Sequence, residues 1–142
     1  MTRLVRTIAI VLAFASQSAL AAAETPLSNF SGQKIAYIAS DETIYLWGGK
    51  PVAYLIADRA GGEDVFGFNG KHLGWFLKDM IWSHEGRPVC TARKAEPHGL
   101  EPLKAAKGAI PAKAAREAVP VRPIFVEAPE DTACRTFLNQ GA

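Results

Sequence analysis

Beyond Ala23 this sequence has no long hydrophobic run, and the run before it, Ile8 to Ala15, falls well short of the roughly 20 apolar residues that span a bilayer. Cysteine is scarce. Cys90 and Cys134 are the only two, with no CxxC and no Cys/His cluster, so no zinc spacing is present. Charge of one sign is lacking too. Residues 24–94 hold eight basic and eight acidic side chains and residues 95–142 hold six of each, which argues against a nucleic-acid partner or a polybasic membrane surface. Missing as well are G-x-S-x-G, H-E-x-x-H and a Gly-rich loop opening a helix; Gly61-Gly62 is followed by acids and a strand pattern, which is wrong for cradling phosphate. No catalytic residue, no metal and no cofactor is expected, and an enzyme is not.

The first segment reads as a secretory leader. Arg3 and Arg6 precede the apolar run, and small residues crowd Ala19 to Ala23 ahead of Glu24. Cleavage after Ala23 fits best, with Ala21 as the alternative, so residues 1–23 are assigned to a signal peptide and the protein to the periplasm or the medium. The formal net charge of +2 belongs to Arg3 and Arg6, and the remainder is neutral. No transmembrane segment remains after cleavage. In an oxidising compartment Cys90 and Cys134 can pair; a buried free thiol at Cys90 is the alternative.

What is present is a repeat. Ile44 to Leu55 (IYLWGGKPVAYL) aligns without a gap on Val65 to Phe76 (VFGFNGKHLGWF), a third copy runs from Ile81 to Ala92 (IWSHEGRPVCTA), and a weaker one from Phe30 to Ile38 (FSGQKIAYI). Each copy is an apolar, aromatic-rich run, an x-Gly pair and a second apolar run, pivoting at Gly32, Gly49, Gly70 and Gly86. Asn-Gly and its relatives favour two-residue type I′ hairpin loops. Polar stretches such as Ser40-Asp41-Glu42 and Asp58 to Asp64 separate the copies. The reading is all-β: four short hairpins over residues 27–94.

With Gly48-Gly49 as a two-residue loop, alternation puts Tyr45, Trp47, Val52 and Tyr54 on one face, with Phe66, Phe68, Leu73 and Trp75, then Trp82, His84, Val89 and Thr91, as equivalents. Ile44, Leu46, Pro51, Ala53 and Leu55 take the other. One position there is always small (Ala36, Ala53, Gly74, Cys90), which suggests a close approach near a pseudo-symmetry axis. The stretches Trp47 to Leu55 and Phe66 to Phe76 resemble the 4-fold beta flower family. The resemblance covers the hairpin region and implies four hairpin units about a pseudo-four-fold axis, often in exported bacterial proteins; it implies no activity and no site residues. The first copy departs most from the pattern, with Ser28 and Asn29 in place of strand hydrophobics.

From Ala95 the composition shifts to Ala, Pro, Lys and Glu, and six prolines interrupt any long element. Residues 95–123 read as a semi-rigid or disordered linker. Residues 124–142 form a C-terminal segment in which Ile124-Phe125-Val126 could add a short strand and Ala133, Phe137 and Leu138 mark a closing helix.

His72 and His84 fall on opposite faces in this register and so cannot share an ion without help from other units; His98 sits in the linker. The acids Asp41, Glu42, Asp58, Glu63, Asp64 and Asp79 read as solvated turn residues. The aromatic face is expected to be core. Its alternative is a platform for a glycan or peptide, with Trp47, Phe68 and Trp75 as the surface and Lys50 and Lys71 at its rim. The expected function is an exported, non-enzymatic domain with a structural or binding role at the envelope, ligand unknown, as an envelope component or homo-oligomer. The rivals are that glycan or peptide module and a small envelope hydrolase, which would need two carboxylates opposed across a cleft.

Overall fold

The computed structural model describes residues 23–94, 99–130 and 132–142. The leader up to residue 22 and His98 lie outside the described residues. Eight strands, β1 (Thr25–Ser28), β2 (Lys34–Ile38), β3 (Thr43–Leu46), β4 (Pro51–Ala57), β5 (Glu63–Gly67), β6 (His72–Leu77), β7 (Met80–Trp82) and β8 (Pro88–Thr91), pair antiparallel in chain order, and β8 returns to β1 to close a barrel. The four hairpins are β1–β2, β3–β4, β5–β6 and β7–β8, and the first forms like the others.

All four tips share one hydrogen-bond pattern. Around Gly49, the Gly49 N–H donates to Leu46 O and the Leu46 N–H to Lys50 O, and the same pair recurs around Gly32, Gly70 and Gly86. The loops are therefore three residues long, not two. Only the glycine of each is left-handed, with φ of 86°, 88°, 86° and 75° in turn, whereas a type I′ loop would need the preceding residue there too. This is the three-residue hairpin loop that ends in a glycine bulge.

A second bulge, just beyond the tip, completes the change of faces. Tyr45 opposes Pro51 and Ile44 opposes Ala53, so Val52 is the extra residue and turns inward. Leu73 and Val89 do the same. The interior therefore holds Leu27, Ile44, Leu46, Val52, Val65, Leu73, Ile81 and Val89 with the recurrent small residues. At Gly74 a side chain is excluded chiefly by the adjacent strand: a Cβ there would collide with Trp82 O on β7, and would lie 3.3 Å from the Phe137 ring of α1 (Cys134–Asn139). Phe137 and Leu138 are part of the same core. Cys90 is bonded to Cys134 at a Cα separation of 5.1 Å, which fixes the helix to β8.

Residues 99–130 carry no strand or helix, and Ile124-Phe125-Val126 adds no strand to the sheet. The stretch expected as a linker instead lies against the outside of the barrel as a strap. Backbone N–H groups of Gly108, Glu117 and Val126 donate to the carbonyls of Gly49, Gly70 and Gly86, at 2.8–2.9 Å. These donors are nine residues apart. The carbonyls of Ala106, Ala115 and Ile124, again nine apart, press on the same three glycines, where any Cβ would meet the oxygen. Ala105 and Ala114 donate to Trp47 O and Phe68 O; the third equivalent is Pro123, which has no N–H to give.

Candidate functional site

The outward aromatics pair across the seams between hairpins: Tyr37 with Tyr45, Tyr54 with Phe66, and Trp75 with Trp82. The strap covers each seam. Lys104 lies 4.4 Å from the Tyr37 ring centre, Lys113 lies 4.1 Å from that of Tyr54, and Arg116 sits over Phe66. At the third seam Phe125 replaces the cation and packs 4.8 Å from Trp82 and 5.9 Å from Trp75. Lys104 also binds the Glu24 carboxylate and holds that carboxyl below its ordinary range against the effect of burial, with Lys107 reinforcing it. Arg122 reaches down the wall to Asp58, 2.6 Å away.

The residues expected to form an aromatic platform are therefore placed as follows. Trp75 is wholly buried (0 % exposed) and Phe68 is buried. Trp47 is half-buried and its indole N–H donates to Pro102 O. Lys50 and Lys71 stand exposed at their tips. Apart from Lys71, these residues do not converge on a cavity.

A different group does converge, between the third and fourth hairpin tips, the strap and the C-terminal segment. A cleft of about 300 Å³ is lined by Lys71, His72, Ser83, His84, Glu117 and Glu130, among others. Behind it runs a chain of hydrogen bonds: His72 Nε2 to Asp64 Oδ1 at 3.1 Å and His72 Nδ1 to His84 Nε2 at 2.9 Å. The carboxylate accepts, so Nε2 of His72 carries the proton, and Nδ1 accepts in turn from His84 Nε2–H. The two histidines thus share a face, contrary to the sequence-based register. The glycine bulge puts His72 outward opposite Phe66, beside the outward His84. Asp64 is likewise no solvated turn acid; it is buried on β5.

Burial pushes the His72 imidazole below its ordinary range, partly opposed by the bond to Asp64; His84 lowers it further and Glu117 raises it. Glu117 is tied in from the strap, where its Oε1 accepts the His72 backbone N–H at 2.7 Å. Among the described residues, no hydroxyl or thiol is hydrogen-bonded to the outer nitrogen of His84, and both cysteines are in the disulfide. These bonds tie the third hairpin to the fourth. No three His, Cys, Asp or Glu side chains among the described residues come together to hold a metal ion. The remaining turn acids stay apart from this cleft. Glu63, at the opposite mouth of the barrel, is raised by partial burial and by the charge of Glu42.

Sequence reasoning missed the cleft because it misplaced His72 by one face and treated the strap as a linker. A signal was present. Pro102, Pro111, Pro120 and Pro129 recur every nine residues, as do Lys104, Lys113 and Arg122.

The sequence model of the family described as "4-fold beta flower protein" matches residues 25–138, so the match runs past the hairpins, through the strap and into α1. No curated protein and no solved structure matches the chain.

Proposed function

Because the chain belongs to the 4-fold beta flower family, we propose that this β-repeat domain serves outside the cytoplasm, in a structural or binding role at the cell envelope. The observation that carries this is the Cys90–Cys134 bond, which ties the far end of the chain to β8. Disulfides persist in oxidising compartments and are rare where glutathione keeps thiols reduced. A domain held shut in this way suits the periplasm or the medium, in keeping with the leader-like order of Arg3, Arg6, the apolar run and Ala19 to Ala23. Among the described residues no helix is long and apolar enough to cross a membrane.

The test is expression with the full leader in a secretion-competent bacterium, followed by fractionation and intact-mass measurement with thiol labelling. The expected product lies outside the cytoplasm, begins at Glu24 or Ala22, and takes no label at Cys90 or Cys134. A cytoplasmic product with Met1 or Thr2 at its start and two labelled thiols would overturn the proposal.

A further inference from the structure

The second, third and fourth hairpins repeat one pattern, and three residues of the third and fourth tips, with one of the strap, depart from it side by side. Pro51 and Pro88 have His72 as their equivalent; Leu46 and Gly67 have Ser83; Trp47 and Phe68 have His84; the first hairpin departs separately, with Lys34, Asn29 and Phe30 at these positions. On the strap, Gly108 and Val126 have Glu117. All four exceptions line the cleft between the third and fourth tips.

The cleft also holds polar atoms with nothing to bond. Ser83 is 2 % exposed and its Oγ has no partner, and Glu130 Oε2 is buried without one, although its Oε1 accepts from Thr132. Buried polar atoms are hydrogen-bonded in the great majority of cases, so such exceptions ask for an explanation; Tyr37 Oη, Trp75 Nε1 and Arg122 Nε are three more elsewhere in the fold, and the Ser83 and Glu130 atoms are the pair beside the cleft. The free groups are chiefly acceptors. Glu117 and Glu130 contribute carboxylates, Glu85 adds a third at the rim, and Lys71 is the single cation lining the space. Such a surface suits a donor-rich cation. A metal ion is disfavoured because no three ligating side chains among the described residues approach closely enough. An organic ammonium, with three N–H donors and no need for a closed coordination shell, fits the spread of acceptors better.

We propose that this cleft binds the ammonium group of a small polar amine, with Ser83, Glu117 and Glu130 as acceptors. The proposal rests on reading the domain as a binding module and supplies the class of ligand. A volume of about 300 Å³ admits a molecule the size of a monosaccharide, at the small end of ligand pockets.

The test uses the full disulfide-bonded chain, titrated with D-glucosamine and, in parallel, with D-glucose, in which a hydroxyl stands where the ammonium was. Binding is followed by calorimetry and by amide chemical shifts of the residues around Ser83. Glucosamine is expected to bind saturably at millimolar concentration or below, and glucose at least about tenfold more weakly, a difference of roughly 1.4 kcal/mol. Glu130→Gln should weaken glucosamine by a similar factor, with the thermal midpoint unchanged because the lost oxygen has no partner in the fold. Ser83→Ala is the second variant, and should weaken glucosamine in the same direction. Equal binding of the two sugars, no response to either, or a site that answers to calcium chloride alone would overturn the proposal. Each of those results leaves the export reading untouched, and a cytoplasmic product would leave this titration untouched.

Discussion

The barrel and the strap are both periodic, yet they hold the chain in place by different physics. The barrel is a ladder: each strand satisfies its backbone on its neighbours and turns one side chain in two toward a shared apolar interior. The strap has no ladder of its own. Its N–H groups go to the carbonyls of the hairpin tips, and its cations lie over aromatic seams. Its aliphatic side chains point away, with Leu100, Leu103, Val121 and Ile124 almost fully exposed. The comparison shows that a Pro- and Ala-rich segment without hydrophobic periodicity can still be ordered, provided another part of the molecule supplies carbonyls at the matching interval.

The strongest way to test that contrast is to truncate one large side chain in each region. Trp75→Ala removes a ring buried beneath the strap and should destabilise the domain by about 3–5 kcal/mol, whereas Leu103→Ala should change stability by less than about 0.5 kcal/mol. Urea denaturation followed by circular dichroism measures both. Equal effects would mean that the strap is a true part of the core.

The disulfide joins the two regions and comes next. Cys90 and Cys134 are 44 residues apart, and closing a loop of that length stabilises by about 4 kcal/mol through loss of unfolded-state entropy. Cys134→Ser with Cys90→Ser should lower stability by a comparable amount and raise amide exchange along 99–130 more than in the strands. Two free thiols in the denatured, unreduced protein would contradict the bond itself.

A smaller effect is expected where a tip meets the strap. Gly70 is left-handed and faces Ala115 O, so Gly70→Val should destabilise by at least roughly 1–2 kcal/mol. Gly48 is the control. It is not left-handed and has open space around it, so Gly48→Ala should be nearly silent. Matching midpoints for the two variants would break the assignment of the tips.

The slightest effect concerns His72, which faces Asp64 and Phe66 on β5, Trp75 on its own strand, His84 from the fourth tip, and Glu117 from the strap. Its folded-state proton affinity is depressed from the ordinary value of 6.5, mainly by burial. The unfolded chain therefore binds the proton first. The stability due to neutral His72 is complete above about pH 6.5 and declines as pH falls below it, with a slope of at most about 1.4 kcal/mol per pH unit for one proton. His72→Gln keeps a donor for Asp64 and should flatten that part of the pH profile. An unchanged slope would assign the effect to another group.

Strand content, the four hairpins and the pivot glycines were legible because each is set by local chemistry. A left-handed glycine between two apolar, aromatic runs makes a hairpin wherever it stands, and the gapless match between Ile44 to Leu55 and Val65 to Phe76 multiplied that signal. The faces were only half legible. The three-residue tip turns His72 outward, the extra residue beyond it leaves Val52, Leu73 and Val89 inward, and loop length is settled by hydrogen bonds such as Leu46 N–H to Lys50 O rather than by the Gly-Gly pair.

By itself, then, the sequence determined the all-β class, the repeat, and a pair of cysteines able to bond, since these follow from residue type and short-range spacing. Tertiary structure alone decided the closure of β8 on β1, the entry of α1 into the barrel, and the meeting of His72, Ser83, His84 and Glu117 around one cleft. The physical reason is reach. The strap's backbone donors find their acceptors between 40 and 59 residues away, from the contact of Gly86 with Val126 to that of Gly49 with Gly108, so neither partner carries a local mark of the other until the barrel has brought its tips into line.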